Sequence, residues 1–175
     1  MVLERLWAGW RNDYVRSIPE GETRAESPGG ATLFEGLLAA HDAGEEVWIV
    51  HRGELVSVIL NVYPYGSGHC LVIPNRGVEK VSELTSDEAA VLWATVDHAV
   101  RVIEAEYGAP GINVGLNQGK AAGAGVPDHL HVHVLARWHG DTNFMTAIAE
   151  TRVLPESLEV TATRLRARWN DVDHR

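Results

Sequence analysis

The sequence predicts an α+β domain in which an antiparallel sheet of about five strands packs with a long central helix and a C-terminal helix. Five short runs rich in β-forming residues predict the strands, at residues 46–51, 55–61, 69–73, 111–118 and 129–138. A long segment with helical periodicity separates the third run from the fourth, and a second helical segment follows Pro155. Strands that flank one long helix are typical of this fold class.

The chain has the length of one domain, with 175 residues and a mass of 19.2 kDa. We therefore predict a single domain over residues 1–175, with an N-terminal extension at 1–30 and the C-terminal helix at 155–175. The extension ends in a polar stretch rich in Gly and Pro, which is typical of a loop. Trp7 and Trp10 near its start are predicted to be packing anchors.

The predicted elements before the long helix follow in a simple order. Residues 31–43 place leucines at helical spacing, which predicts a short helix. Arg52 and Gly53 separate the first two β-rich runs, and this break predicts a hairpin. The third run starts at His69 and ends before Pro74.

The boundaries of the long helix are visible in the sequence. Thr85 and Glu88 have the spacing of a capping box, in which each side chain accepts the backbone N–H of the other residue. Gly108 provides a C-terminal stop, because glycine readily adopts the left-handed conformation that ends many helices. Between them, apolar residues follow at steps of three and four: Leu92, Val96, Val100, Ile103 and Tyr107.

Charge and cysteine content exclude some classes of protein. The formal net charge is −9, from 24 acidic and 15 basic side chains, which argues against binding along an extended nucleic acid. A small anionic ligand is still allowed, because a local site can oppose the overall field. Cys70 is the single cysteine, so no internal disulfide can form and a reducing compartment is expected. With no export signal or membrane span in view, we expect a cytoplasmic protein without a membrane partner.

The segment HLHVHVLARW, residues 129–138, is the most informative in the chain. His129, His131 and His133 alternate with aliphatic residues, which predicts a strand with three imidazoles on one face. Histidine can act near neutral pH as a nucleophile, acid, base or metal ligand. Three of them on one face are hard to explain as core residues, so the pattern predicts a functional site.

Two kinds of chemistry remain open for this site. The histidines could bind Zn²⁺. Alternatively, one ring attacks phosphorus while a neighbour donates a hydrogen bond to the phosphoryl oxygens. A metal site would need a further ligand, and Asp128 should point to the opposite face of the strand. The Gly-rich loop before the histidines favours phosphorus, because Gly123 and Gly125 let backbone N–H groups approach a phosphate.

The other candidate side chains are predicted to have ordinary roles. Cys70 follows His69 on a strand, where neighbours point to opposite faces, so it should face the core. The histidines outside any cluster are predicted to be surface or capping residues: His41, His51, His98 and His139.

The H-x-H-x-H motif, preceded by an Asn and a Gly-rich loop, resembles the histidine triad (HIT) superfamily of nucleotide hydrolases and transferases. The likeness runs from about residue 5 to residue 155. It is carried by the segments LWAGWRNDYV, ILNVYPYGSGHCLVIP, GINVGLNQG, AGAGVPDHLHVHVLARW and GDTNFM. These segments resemble the bacterial branch labelled diadenosine tetraphosphate phosphorylase-like or hydrolase-like.

The resemblance implies a role for each histidine of the site. His131 would be the nucleophile that takes the nucleoside monophosphate, and His133 would contact the α-phosphate. His129 would hold His131 through its backbone carbonyl, leaving Nε2 of His131 free to attack. His69 matches a fourth, upstream histidine near the phosphate.

The resemblance also implies the nucleotide contacts and the assembly. Asn61 stands where relatives place a ribose-binding Asp or Asn, and Asn117 where an amide faces the phosphate or the leaving group. The loop with Gly123, Gly125 and Val126 would lie against the phosphates. The expected protein is a homodimer with a continuous sheet. No tightly bound cofactor is expected beyond Mg²⁺ that accompanies the nucleotide substrate.

The sequence departs from its relatives at two places. Many relatives have a Ser or Thr in the loop before the triad, where this chain reads Ala124, Gly125 and Val126. Leaving-group assistance must therefore come from backbone N–H groups or from elsewhere. Some relatives hold zinc with Cys-x-x-Cys, a further His and the first triad histidine. Here the first three positions read Thr32, Glu35 and Gly77, so a structural zinc and any other resident metal are not expected.

The predicted function is therefore a nucleotide hydrolase or phosphorylase/transferase that cleaves at the α-phosphate of diadenosine polyphosphates or related conjugates through a covalent nucleotidyl-histidine intermediate. The alternatives are a nucleoside phosphoramidate or nucleotidyl-sulfate hydrolase, a nucleotide-binding regulatory protein with little turnover, and a metallohydrolase. The sequence leaves open hydrolysis or phosphorolysis, the leaving group and the base preference.

Overall fold

The computed structural model describes residues 30–141 and 156–172. Trp7 and Trp10 of the predicted N-terminal extension lie outside the described residues. So do residues 142–155, which include most of the GDTNFM segment.

In the described part of the chain, five antiparallel strands form one sheet, as predicted. They are β1 (Ile49–Arg52), β2 (Val56–Leu60), β3 (Cys70–Pro74), β4 (Gly111–Leu116) and β5 (Val132–Arg137). Their order across the sheet is β1-β2-β3-β5-β4. The triad strand β5 is therefore flanked on both sides, and β1 and β4 form the two edges.

The described residues contain three α-helices, namely α1 (Leu33–Asp42), α2 (Ser86–Tyr107) and α3 (Leu158–Asp171). Helix α2 has the predicted boundaries: Thr85 and Glu88 form a capping box, and Gly108 ends the helix with a φ of 57°. Helix α1 begins with a second capping box, formed by Thr32 and Glu35. No helix in the described ranges is long and apolar enough to cross a membrane.

The two faces of the sheet pack against different helices. Helices α2 and α3 cover the larger core, which includes the buried side chains of Val72, Val132 and Leu165. Helix α1 covers a smaller cluster on the other face: Phe34, Leu38, Ile49, Ile59, Leu71 and Ile73. Strands β2 and β3 are buried along their whole length, because helices cover both of their faces.

Cys70 is buried in the larger core, as the sequence predicted. Burial raises the pKa of its thiol to about 12. The thiol therefore stays protonated at neutral pH, and Cys70 is a packing residue and not a nucleophile.

The triad strand is shorter than predicted. Strand β5 begins at Val132, so His129 and His131 precede the regular ladder. The pairing of β3 with β5 ends where Val72 faces Val132. The ladder cannot continue regularly to the end of β3, because Pro74 has no backbone N–H to donate. The backbone N–H of Leu130 instead donates to the carbonyl of Val78 at 2.6 Å.

His98 was predicted to be a surface or capping residue, and the surface alternative was wrong. His98 is 2% exposed, and its Nε2 donates to the backbone carbonyl of Trp169 at 3.1 Å. His51 is half-buried and stacks on the same indole, with ring centroids 4.8 Å apart. Both histidines therefore belong to the contact that docks helix α3 onto the rest of the domain.

Candidate active site

The triad and His69 come together on the face of the sheet that carries α1. The ring centroids of His131 and His133 are 5.1 Å apart, and those of His69 and His133 are also 5.1 Å apart. His69 directly precedes β3, and β3 pairs with β5, so the two adjacent strands bring these rings into contact. His69, His129 and His131 are buried, and His133 is partly exposed.

His131 presents a free nitrogen lone pair. Its Nδ1 lies 2.9 Å from the backbone carbonyl oxygen of His129. A carbonyl oxygen can only accept a hydrogen bond, so Nδ1 carries the proton and donates it. Burial lowers the pKa of His131, which keeps the ring neutral at neutral pH. Nε2 of the neutral ring therefore has no proton and can act as a nucleophile.

His133 carries its proton on the opposite nitrogen. The backbone N–H of Tyr65 donates to Nδ1 of His69 at 3.0 Å, so the neutral ring of His69 carries its proton on Nε2. That Nε2 donates to Nδ1 of His133 at 2.9 Å. Burial, together with the neighbouring His131, lowers the pKa of His133 to about 4. The neutral His133 ring therefore has an N–H donor at Nε2.

His129 is a support for the site. Its Nε2 donates to the carbonyl of Pro74 at 2.8 Å, and its Nδ1 accepts from the Thr32 hydroxyl at 2.6 Å. Burial lowers its pKa, in keeping with a neutral ring that uses both nitrogens. Phe34 of α1 contacts His129 and His131 edge-on, with centroid distances of 5.1 and 5.5 Å. His129 is thus fixed from both sides, and its backbone carbonyl is held for His131.

The four positions that hold zinc in some relatives do meet in space. The carboxylate of Glu35 accepts the backbone N–H groups of Gly77 and Thr32, each at 2.8 Å. Burial alone would raise the pKa of Glu35, but these hydrogen bonds keep it below its usual value. Thr32 and Gly77 offer no thiolate or imidazole, and both nitrogens of His129 are engaged, so these residues do not fit a tetrahedral zinc site. Residues 30–141 and 156–172 contain no cluster of three or more His, Cys, Asp or Glu that could hold a metal ion.

The two predicted asparagines lie on either side of the histidines. The Asn61 amide oxygen accepts from the backbone N–H of Tyr63 at 3.0 Å, and its Nδ2 lies 3.4 Å from Nδ1 of His69. Asn117 directly follows Leu116, whose partner in the ladder is Val132. Extending this antiparallel register by one residue sets Asn117 opposite His131, on the same face of the sheet.

The Gly-rich loop forms a tight turn before the triad. Gly123 has a φ of 90°, and its N–H donates to the carbonyl of Lys120 at 2.9 Å. Its N–H is therefore used inside the turn. Val126 packs against the cluster under α1, which brings the end of the loop beside the triad. Within the described ranges, no backbone hydrogen bond uses the N–H of Gly125 or Val126. These two N–H groups are therefore candidate donors to an anion.

Three residues of the site were missed as contributors from the sequence. Thr32 was considered only as a missing zinc ligand, although T-x-x-E spacing with Glu35 marks a helix start. Phe34 has no signal beyond its place on an apolar helix face. Tyr65 acts through its backbone N–H, which every residue except proline has, so residue type alone could not reveal it.

A scan against protein-family models finds a match to the HIT domain over residues 45–140. The chain belongs to the HIT domain family. It is 41% identical over 167 residues to an AP-4-A phosphorylase of Mycobacterium tuberculosis, covering 95% of this chain and 85% of the relative. It is also 37% identical over 93 residues to a bis(5′-nucleosyl)-tetraphosphatase (asymmetrical) of Schizosaccharomyces pombe, covering 53% and 50% of the two chains.

A solved HIT family structure supports the same assignment. The crystal structure of a Zn-bound histidine triad family protein from Mycobacterium smegmatis superposes with a TM-score of 0.65. That protein is 26% identical to this chain, and the match covers 81% of this chain and 94% of the other. The HIT fold inferred from the sequence motifs is thus confirmed.

Proposed function

We propose that this HIT family protein cleaves diadenosine polyphosphates, or related nucleotide conjugates, at the α-phosphate through a covalent intermediate on His131. One observation carries the proposal. Neighbouring rings have opposite tautomers, so His131 offers a lone pair at Nε2 beside the Nε2–H donor of His133. Attack on phosphorus needs this combination, because the nucleophile and a donor for the phosphoryl oxygen must act together.

The reaction then has two steps. Nε2 of His131 forms a bond to the α-phosphorus while the bond from phosphorus to the leaving phosphate oxygen breaks. The imidazole gains positive charge, and the hydrogen bond from its Nδ1 to the His129 carbonyl strengthens in response. In the second step, the oxygen of water or of inorganic phosphate attacks the same phosphorus and the N–P bond breaks.

The relatives support the substrate class. One is named for phosphorolysis of AP-4-A and the other as a bis(5′-nucleosyl)-tetraphosphatase. The phosphorylase aligns over nearly the whole chain, so we propose inorganic phosphate as the first candidate for the second step and water as the alternative. Asn61, Asn117, Gly125 and Val126 are proposed nucleotide contacts, and Gly123 shapes the loop that presents the last two.

The second step is tested with diadenosine tetraphosphate in the presence and absence of inorganic phosphate. Resolution by phosphate gives ADP and ATP, whereas resolution by water gives AMP and ATP. We expect His131→Asn to lower kcat by several orders of magnitude. His139→Asn makes the same chemical change at an exposed histidine outside the site and should leave kcat unchanged.

Other outcomes of this assay would contradict the proposal. A wild-type protein that binds the dinucleotide without releasing products would be a regulatory protein. If EDTA abolished activity toward a substrate analogue that carries no Mg²⁺, the metal would belong to the protein, and a metallohydrolase would be favoured. Release of the nucleotide from nucleoside phosphoramidates alone would make the protein a nucleoside phosphoramidate hydrolase.

We also propose that the protein is a single-domain homodimer whose sheets join through β4. Strand β4 is an edge of the sheet, and an edge strand presents backbone groups that can pair with another strand. Val114 on this strand is 43% exposed, and Trp93 on α2 is 50% exposed. Burying apolar side chains of this size against a second copy would stabilise the dimer. The single, buried Cys70 supports a cytoplasmic site of action.

A further inference from the structure

We infer that Thr32 is a positioning residue that, through His129, fixes the orientation of the nucleophile His131. This inference rests on the proposed function for the identity of the nucleophile. Thr32 lies 97 positions before His129 in the chain, yet its hydroxyl contacts that ring at 2.6 Å.

The nucleophile needs such support because it lies outside the regular sheet. The pairing of β5 with β3 and its pairing with β4 both end at Val132. His131 comes one residue earlier, so it lies just beyond the last paired residues of both ladders. Its orientation depends on the His129 carbonyl, which accepts from Nδ1 of His131. Any rotation of residue 129 would move that acceptor.

A directed chain of hydrogen bonds fixes His129. The carbonyl of Pro74 can only accept, so Nε2 of His129 carries the proton and Nδ1 of the neutral ring can only accept. The Thr32 hydroxyl must therefore donate to Nδ1. The same oxygen accepts the N–H of Glu35 at 3.3 Å, so the hydroxyl acts as donor and acceptor at once.

Thr32 is itself held rigidly. Glu35 accepts the N–H groups of Thr32 and Gly77 and so ties the start of α1 to the loop that follows β3. A Cβ atom at Gly77 would lie 2.7 Å from Cγ2 of Thr32, which shows how closely the two segments pack. We call the hydrogen-bonded group of Thr32, Glu35, Gly77 and His129 the clamp. These residues stand at the positions that hold zinc in some relatives, and hydrogen bonds join them here.

Loss of the Thr32 donor should change the chemistry at His131. Without it, Nδ1 of His129 would be a buried acceptor with no partner, and the ring would exchange tautomer or rotate. Either change disturbs the His129 carbonyl and the alignment of Nε2 of His131. Misplacement of a nucleophile by a fraction of an ångström to about 1 Å lowers rates by roughly 10–100-fold.

The experiment compares Thr32→Val and Thr32→Gly with Thr32→Ser. Valine keeps the shape without the hydroxyl, glycine keeps a favourable N-cap residue, and serine keeps both hydrogen bonds. Thr85→Val is the matched control, because the Thr85 hydroxyl accepts the N–H of Glu88 in the same kind of capping box at the start of α2. The readouts are the single-turnover rate with saturating diadenosine tetraphosphate, KM, thermal stability, and ¹⁵N NMR of the histidine rings without substrate.

We expect Thr32→Val and Thr32→Gly to lower the single-turnover rate by about 10–100-fold with little change in KM. Thr32→Ser should restore a near-normal rate. Thr85→Val should lower the melting temperature while the rate stays that of wild type. The NMR spectra should show a single Nε2–H tautomer for His129 in wild type and a mixture in the valine and glycine variants.

The inference is overturned if Thr85→Val slows turnover as much as Thr32→Val, or if a folded Thr32→Ser is as slow as Thr32→Val. Unchanged His129 and His131 spectra in both donor-loss variants would also overturn it, whatever the turnover. If wild type shows no turnover while those spectra still change in the variants, the proposed function is wrong. Thr32 would still fix the orientation of His129 and His131.

Discussion

At the scale of single residues, the chemistry of the site depends on which ring nitrogen holds each proton. Backbone groups decide this for three rings: the carbonyl of Pro74 for His129, the carbonyl of His129 for His131, and the N–H of Tyr65 for His69. Backbone amides do not titrate between pH 5 and 9. The arrangement should therefore hold over the whole pH range in which the rings are neutral.

The pH dependence of catalysis follows from burial of the nucleophile. In the proposed mechanism His131 attacks in its neutral form, and burial lowers its pKa below the ordinary 6.5. Activity should be present above the pKa of His131 in the folded protein and fall as the pH drops through that value. We predict that the acid limb of kcat/KM for wild type lies below pH 6.5, since this profile reports the free enzyme. An acid limb above that value would contradict the prediction.

His133 should contribute less to the rate than His131. In the proposed mechanism it donates one hydrogen bond to the phosphoryl oxygen, and loss of one such donor costs on the order of 10²-fold in kcat. We therefore expect His133→Asn to lower kcat by about that factor, with nucleotide affinity within about tenfold of wild type. An affinity loss as large as the loss in kcat would mean that His133 serves binding and not the transition state.

Some of this residue-level detail was predictable and some was not. The alternation of histidines with aliphatic residues revealed the site, because side chains on a strand alternate between faces. The contact between Thr32 and His129 joins residues 97 positions apart, and no local pattern encodes such a distance. The partner of each ring nitrogen likewise depends on tertiary contacts.

At the scale of elements, local signals predicted the helices better than the strands. The capping box at Thr85 and the glycine at 108 gave both ends of α2, because helix ends are stabilised by nearby residues. The start of β5 was predicted too early, since a strand extends only as far as its neighbours can pair. Pro74 on the neighbouring strand lacks the donor needed there, and its carbonyl is taken by His129.

His98 shows the same limit for a helix. It was predicted to be a surface or capping residue, because it lies outside any cluster of candidate site residues in the sequence. Helix α3 then covers it, and the ring of Trp169 packs edge-on against it with a centroid distance of 4.5 Å. Packing of α3, and not the local pattern of α2, therefore decides whether His98 is buried.

The clamp between α1 and the loop after β3 can be converted into a metal site. Gly77→His alone should lower the free energy of unfolding by about 1–3 kcal/mol, because its Cβ would contact Thr32 Cγ2 at 2.7 Å. Adding Thr32→Cys and Glu35→Cys removes the crowding atoms and supplies two thiolates beside His129. The triple variant should bind about one zinc per chain, and EDTA should lower its melting temperature.

Wild type provides the control for this design. Its melting temperature should be the same with and without EDTA, since only Glu35 and His129 of the four positions could be ligands. Elemental analysis that finds about one zinc per chain in chelator-washed wild type would contradict this prediction.

At the scale of the whole molecule, the proposed substrate is a polyanion although the protein is acidic. With a net charge of −9, the overall field does not favour a tetraphosphate. The proposed contacts to the substrate are neutral imidazoles and backbone N–H groups, whose hydrogen bonds at short range do not depend on the net charge. Mg²⁺ carried by the substrate would reduce the repulsion further.

The predicted dimer is tested at the exposed edge of the sheet. The chain mass is 19.2 kDa, so light scattering of wild type at micromolar concentration should give about twice that value. Val114→Lys places a charge on the edge strand and should shift the protein to the monomer. Val160→Lys is the matched control, because Val160 is 47% exposed on α3, away from that edge. A stable wild-type monomer would contradict the prediction.

The overall architecture was more predictable than the contacts between its parts. Five β-rich runs, one capped long helical pattern and a second helical segment after Pro155 were sufficient for the fold class, because each is a local property of the chain. The sheet order places β5 between β3 and β4, which joins strands that are distant in sequence. That order, and the meeting of α1 with the triad, depend on global packing.

The covalent adduct is the most direct test of the account. Wild type mixed rapidly with radiolabelled diadenosine tetraphosphate and quenched in base should yield a burst of protein-bound nucleotide that is labile to acid. Peptide mapping should place the label on His131, as expected for a phosphoramidate formed at Nε2. His131→Asn should give no adduct, and His139→Asn should give the wild-type burst. Normal turnover by His131→Asn, or turnover by wild type with no trapped adduct and no burst, would contradict nucleophilic attack by His131.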